Sequence, residues 1–171
     1  PDEYLNASDL SPLIAQLLYN RGVKLEEIAP FLSADIRLEG NPFLLPDISQ
    51  AVARVYKAML AQEKIAIYGD FDVDGVTATV ILVEGLSRLG AEVIPYIPDR
   101  INEGHGLKIP ALEKLQAQGA SLVITVDCGV TDLAEVKRAQ ETGLDMIITD
   151  HHIPLGSLPR AVAVVNTKRK D

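Results

Sequence analysis

Two periodicities divide the chain. Up to about residue 62 the apolar residues recur at helical spacing, and from Lys64 onward short apolar runs alternate with helix-length segments. In the first part, Ser11 and Pro12 open a segment carrying Leu13, Leu17 and Leu18, and Lys24 to Leu32 forms a second. The two prolines within Asn41 to Pro46 mark a connector. Ile48, Val52, Val55 and Met59 then predict an amphipathic helix over about Asp47 to Gln62.

The later runs are Ile65 to Tyr68, Val93 to Ile97, Leu122 to Val126, Met146 to Thr149 and Val162 to Val165. Strands that read as continuous apolar runs are buried on both faces, and helical crossovers between them imply parallel pairing. The intervening helices are expected to close on Gly90, Gly119 and Gly143, each where a left-handed cap is wanted. The pattern therefore predicts an α/β fold, a three-layer domain with a mainly parallel five-stranded sheet flanked by helices. We assign it to residues 46–171, behind a short helical N-terminal appendage over 1–45.

Composition narrows the functional classes. At 171 residues and 47% hydrophobic, the chain can bury a substantial core. The single cysteine, Cys128, provides neither a disulfide framework nor a thiolate zinc site and fits a reducing, cytoplasmic setting. It reads as a small packed residue, since no basic neighbour is evident to make it a thiolate. No apolar run reaches the roughly 20 residues that span a bilayer, so no membrane partner is expected. The net charge of −8 argues at first against nucleic acid, but two divalent ions bound at an acidic site would offset half of it.

Such a site is visible at the ends of three runs. The first leads into Gly69-Asp70-Phe71-Asp72-Val73-Asp74-Gly75, the third into Asp127-Cys128-Gly129, and the fourth into Asp150-His151-His152. In an open parallel sheet, ligands bind beyond the carboxyl ends of the strands, so clusters up to 82 positions apart should converge. Carboxylates crowded there would repel one another, and hard divalent cations remove that penalty. Mixed carboxylate and imidazole ligation suits Mn²⁺ or Mg²⁺, with Zn²⁺ also open. Two such ions about 3.5–4 Å apart polarise a phosphoryl group, activate water and steady the leaving oxygen, which makes phosphoester hydrolysis the natural reaction.

The dull readings are weaker. Asp70, Asp72 and Asp74 begin like an EF-hand, but the twelfth position is Ile81, where calcium needs a bidentate Glu. One Asp could cap the helix starting near Gly75, whereas three in five residues exceed that need. Asp127 alone could be a turn residue; its place after the most apolar strand points to function. Adjacent histidines in a chain with three in total are unlike a surface accident. Downstream of Pro98-Asp99-Arg100, the loop Glu103-Gly104-His105-Gly106-Leu107 reads equally as a phosphate- or base-meeting loop and as an ordinary turn. Lys168-Arg169-Lys170 reads as a solvated charge run.

In this order, the three motifs resemble those of the DHH phosphoesterase superfamily. Tyr68 to Gly75, Ile124 to Gly129 and Ile148 to His152, together with Asn41-Pro42-Phe43-Leu44-Leu45-Pro46, most resemble its RecJ-type exonuclease branch. That resemblance implies a Mn²⁺- or Mg²⁺-dependent exonuclease degrading single-stranded DNA from the 5′ end in recombination and repair, alongside repair-complex proteins. It implies metal ligation by Asp72, Asp74, Asp127 and His151, with Asp70 and Asp150 as ligands or close support. His152 would face the scissile phosphate, with His151 and Asp74 completing the catalytic set. Arg100, His105 and Gly106 would meet substrate, although the branch commonly has Tyr where this chain has His105. It also implies a further metal-binding Asp and a substrate-gripping domain beyond Asp171, so this piece alone is expected to have little or no activity. Two other readings remain: a relative hydrolysing short oligonucleotides, nucleotide phosphates or pyrophosphate, and a non-catalytic module of a replication or repair assembly.

Overall fold

The structure is a computed structural model and describes residues 3, 4, 10–33 and 40–169. Within them the chain forms two compact units, Pro1–Asn41 and Pro42–Asp171. In the first, α1 (Pro12–Asn20) starts at Ser11, whose hydroxyl accepts the Ile14 amide, with Pro12 at the first helical position. A 3₁₀ turn (Leu25–Glu27) leads into α2 (Ile28–Leu32). Leu18, Val23 and Ile28 form this unit's small core.

The second unit carries α3 (Ile48–Leu60), β1 (Lys64–Tyr68), α4 (Val73–Arg88), β2 (Val93–Tyr96) and α5 (Ile109–Ala117). It continues with β3 (Ala120–Val126), α6 (Leu133–Glu141), β4 (Asp145–Asp150) and β5 (Ala163–Asn166). Each strand lies within a few residues of its predicted run. The helix predicted over Asp47 to Gln62 is shorter because both end residues have positive φ, 58° at Asp47 and 54° at Gln62. Gly90, Gly119 and Gly143, at φ 92°, 94° and 77°, close α4, α5 and α6 in the left-handed region.

The five strands are ordered β2-β1-β3-β4-β5 and every pairing is parallel. Alternation along each strand divides the core in two. Ala66, Tyr68, Val123, Met146, Ile148 and Val164 face α5 and α6 through Leu112, Leu115, Val136 and Ala139. Ile65, Ile67, Leu122, Ile124, Ile147 and Val165 face α3 and α4 through Ala51, Ala58 and Leu86. Each fully buried Ile or Leu contributes about 1.5–3 kcal/mol. Burial on both faces is why these strands read as unbroken apolar runs rather than as an alternation with polar residues.

The order of the strands locates the crevice. From β1 the chain crosses to β2 on one side and then returns to β3 on the other, so connections leave β1 and β3 in opposite directions. The gap above their carboxyl ends is the topological switch point where ligands bind in such sheets. It opens between Asp70 and Asp127.

At the far edge, Asp47 accepts the Val164 amide (3.0 Å), and Arg169 donates to Asp47 (2.7 Å) and to the Val164 carbonyl (2.6 Å). Arg169 therefore does not belong to a solvated charge run, since its side chain is 8% exposed. Lys168 is exposed, and Lys170 lies outside the described residues. Among the described residues, no helix is long and apolar enough to cross a membrane.

Candidate metal centre

The end of β1 is held close to α4 by two glycines. A Cβ on Gly75 would come within 2.5 Å of the Asp70 backbone nitrogen, and one on Gly69 would collide with Thr79 Oγ1 and stand 3.0 Å from the Gly75 carbonyl oxygen, both on α4. Helix α4 begins at Asp72, whose carboxylate accepts the Gly75 amide (3.0 Å), so one aspartate of the three does cap the helix. Asp74 lies exposed in the first turn of that helix. The calcium-loop alternative fails here structurally as well, because residues 73–88 are helix.

Asp127 follows β3 with φ +63°, a left-handed conformation that costs a residue with a Cβ about 1–3 kcal/mol and that Asp tolerates through its short polar side chain. Its amide is tied to the Thr149 carbonyl at the end of β4 (3.0 Å). The strain brings an 8%-exposed carboxylate to the crevice floor. Asp150 ends β4, with its side chain 2% exposed. One oxygen takes the Val130 amide (3.0 Å) and the other takes the amide and Nδ1 of His152 (3.0 and 2.7 Å). Asp70 is occupied in the same way, by the Phe71 amide (2.6 Å) and by Nδ1 of His105 (2.8 Å).

Two adjoining cavities result. One, of about 430 Å³, includes Asp70, Asp72, Asp127, Asp150, His105 and His152 in its lining; Gly106 borders it too. The other, of about 330 Å³, includes Asp74, Asp127, Asp150 and His151. Asp127 and Asp150 belong to both, so all three sequence clusters meet as the sheet topology requires. Arg100 borders neither cavity; its guanidinium sits 5.5 Å over the Phe71 ring, which in turn packs on His105 with ring centroids 4.2 Å apart. Cys128 is buried against the Tyr68 and Gly69 carbonyls, and burial pushes its thiol up, away from nucleophilic use.

The electrostatics separate supporting groups from free ones. Burial, and then the neighbouring Asp72 carboxylate, push the Asp127 carboxyl above its ordinary range, against the pull of His151. Asp72 is held below its ordinary range, chiefly by the Gly75 amide. His152 is raised, mainly by its hydrogen bond to Asp150. Nε2 of His151 approaches Asp127 Oδ1 to 2.8 Å, yet that buried oxygen accepts no properly aligned hydrogen bond. A buried carboxylate oxygen without an aligned donor, facing an imidazole nitrogen, suits a shared cation. Ligand atoms of Asp127, His151 and His152 all lie within 4.8 Å of one another. The residues present thus fit a divalent cation of the oxygen- and nitrogen-preferring kind.

The profile described as "DHH family, N-terminal domain" matches residues 64–171. The chain belongs to the DHH family. It is 44% identical over 161 residues to the single-stranded-DNA-specific exonuclease RecJ of Bacillus subtilis, covering 94% of this chain and 20% of that protein. Its fold matches the crystal structure of RecJ in complex with Mn²⁺ from Thermus thermophilus with a TM-score of 0.70 and 32% identity, over 96% of this chain and 22% of the other. A second crystal structure, of exonuclease RecJ bound to manganese, gives a TM-score of 0.69 and 38% identity, over 75% and 33% of the respective chains. This DHH-family chain thus spans about a fifth to a third of the relatives it matches.

Asp132 borders the larger cavity and is absent from the sequence-derived site. It accepts the Leu107 amide at 2.8 Å and is pushed up by burial. In the sequence it is indistinguishable from the polar residue that ordinarily precedes a helix, here Leu133–Glu141. Only the folded arrangement brings it to the His105 loop.

Proposed function

We propose that this chain is the catalytic part of a Mn²⁺- or Mg²⁺-dependent exonuclease that digests single-stranded DNA from the 5′ end. The observation that carries the reading is the buried Asp127 Oδ1, which has no aligned hydrogen bond and lies beside His151 Nε2 at the junction of two acidic cavities. Similarity to single-stranded-DNA-specific exonucleases supports the substrate class, and the 5′ to 3′ polarity is carried over from the RecJ-type resemblance. Service in recombination and repair, with repair-complex partners and in the cytoplasm, belongs to the same proposal.

Asp72, Asp74, Asp127 and His151 would hold the ions, and divalent cations bound there supply Lewis-acid polarisation of a phosphate and a more acidic water. Asp150 and Asp70 would support the site, their oxygens being engaged by the Val130 and His152 amides and by the Phe71 amide and His105 respectively. Asp150 fixes Nδ1 of His152, which reserves Nε2 for a phosphate oxygen. The raised proton affinity of that ring suits hydrogen-bond or proton donation to the charge that develops there. His105, Gly106 and, behind Phe71, Arg100 are the substrate-side residues.

The test uses the full-length protein with strands labelled at either end. Release of mononucleotides from the 5′ end of single strands, dependent on Mn²⁺ or Mg²⁺ and weak on duplex, is expected. Hydrolysis of dinucleotides with long strands left intact would move the assignment to an oligonucleotide phosphoesterase. Binding without hydrolysis would leave a non-catalytic module.

A further inference from the structure

The loop over residues 99–108 is pinned from several sides. Asp99 accepts the amides of Ile101 and Asn102 (3.0 and 2.8 Å), and Glu103 takes the Tyr96 hydroxyl (2.5 Å) and the Asp99 amide (2.6 Å). The Tyr68 hydroxyl donates to the Gly106 carbonyl (3.2 Å), and Lys108 reaches the His105 carbonyl (2.7 Å). Most of these ties stay within the β1, β2 and loop region. Asp132 is different, because it belongs to the segment that follows β3.

That segment starts at Asp127, and its Val130 amide holds Asp150. Its last residue, Asp132, takes the Leu107 amide through Oδ2 (2.8 Å), and the same carboxylate lies beside Gly106. A Cβ on Gly106 would stand 3.1 Å from Oδ2 and 3.2 Å from Oδ1, and Gly106 has φ +78°. The position therefore favours glycine for its backbone angle, and a Cβ there would also press on the carboxylate. His105, one residue earlier, holds Asp70 through Nδ1. Asp132 is thus the side chain that joins the metal-ligand segment after β3 to the loop carrying His105.

We propose that Asp132 is a positioning residue, which sets His105 for the substrate strand by clamping Gly106 and the Leu107 amide. The proposal rests on the exonuclease reading and deepens it. What the clamp requires is a short hydrogen-bond acceptor rather than a negative charge. Asp132→Asn keeps an acceptor at the same reach, Asp132→Ala removes it, and Asp132→Glu keeps the charge but displaces the acceptor by one methylene.

The experiment compares these three variants, His105→Ala and the double variant Asp132→Ala/His105→Ala in the full-length protein. Four readouts are taken: amide exchange over residues 99–108, Mn²⁺ affinity by calorimetry, and KM and kcat on single-stranded DNA. Ala and Glu should speed exchange at the Leu107 amide at least tenfold and raise KM about tenfold, with kcat and Mn²⁺ affinity within threefold. Asn should stay within threefold on every readout. The double variant should be no worse than His105→Ala alone, because both changes remove the same contribution.

Multiplicative losses in the double variant would overturn the proposal. So would unchanged Leu107 exchange in both Ala and Glu, or a tenfold loss of Mn²⁺ affinity in Asn, which would make Asp132 an ionic ligand. If the unmodified protein fails to cleave DNA at all, the exonuclease reading falls and the substrate role of the clamp falls with it. The exchange pattern then still decides whether Asp132 holds the loop, so the two failures are distinguishable. If Ala unfolds the protein, Glu and Asn carry the comparison.

Discussion

Asp127 Oδ1 and His151 Nε2 lie 2.8 Å apart without the alignment of a hydrogen bond, and the buried Asp127 carboxylate also sits in the field of Asp72. In the metal-free protein this is an unfavourable arrangement. Burial and the nearby Asp72 charge both oppose ionisation of Asp127, while ionisation is what cation binding needs.

Removing that charge should therefore separate stability from function. Asp127→Asn keeps a side chain that tolerates φ +63° and relieves the repulsion, so the metal-free protein should gain about 1 kcal/mol in urea denaturation. Its Mn²⁺ affinity should fall at least a hundredfold by calorimetry. The unmodified protein should gain about 2.7 kcal/mol when Mn²⁺ is present at a hundred times its Kd, and the variant should lose that gain at the same concentration.

In the proposed exonuclease, Asp150 would act through His152, which it holds by two hydrogen bonds. Asp150→Asn retains an acceptor but weakens the charge that raises the His152 ring, and activity should fall about 10–100-fold, the range found for outer partners of metal-site histidines. The pH profile carries the sign. His152 gains proton affinity from Asp150, so the variant should lose the protonated ring at lower pH than the parent. An imidazole titration followed by NMR in metal-free protein checks this directly.

Gly75→Ala should be among the most damaging single methyl additions. The new Cβ would meet Asp70 backbone at 2.5 Å, which forces β1 and α4 apart. Overpacking of this kind costs about 1–3 kcal/mol and here presses on backbone that cannot turn aside. Urea denaturation should show the loss. Mn²⁺ affinity should drop as well, because Asp72 caps the helix that would be displaced.

Away from the cleft, Arg54 binds Glu63 and Asp145, each at 2.6 Å, with the arginine side chain 10% exposed. The Arg54 hydrogen bond holds Glu63 below its ordinary value of 4.5. A lowered carboxyl contributes stability that is present above that value and is lost as pH falls through the lower folded value. Measured with chelator present, Glu63→Gln should lower stability at pH 7 by about 1–3 kcal/mol and flatten its decline below pH 5.

Much of this site was legible because it follows from topology. Asp72, Asp127 and His151 stand at the ends of apolar runs, and a parallel sheet must bring such ends to one edge. The different partners of the neighbouring carboxylates were not legible. Asp70 and Asp72 are two residues apart in one motif, yet Asp70 is committed to the Phe71 amide and His105 while Asp72 faces Asp127. That difference arises from the turn after β1. Asp132 was missed for the opposite reason, since a polar residue before a helix carries no mark of a partner 25 positions away. Arg169 looked like a tail cation because sequence cannot display the carboxylate of Asp47, which is 122 positions distant.

That last contact also governs what the sheet can do next. β5 ends the sheet, and an unprotected margin of this kind offers amide and carbonyl groups as a template for a foreign strand. At Val164 both groups are already taken, one by Asp47 and the other by Arg169. An incoming strand would have to dislodge a guanidinium–carboxylate pair before it could bond at Val164.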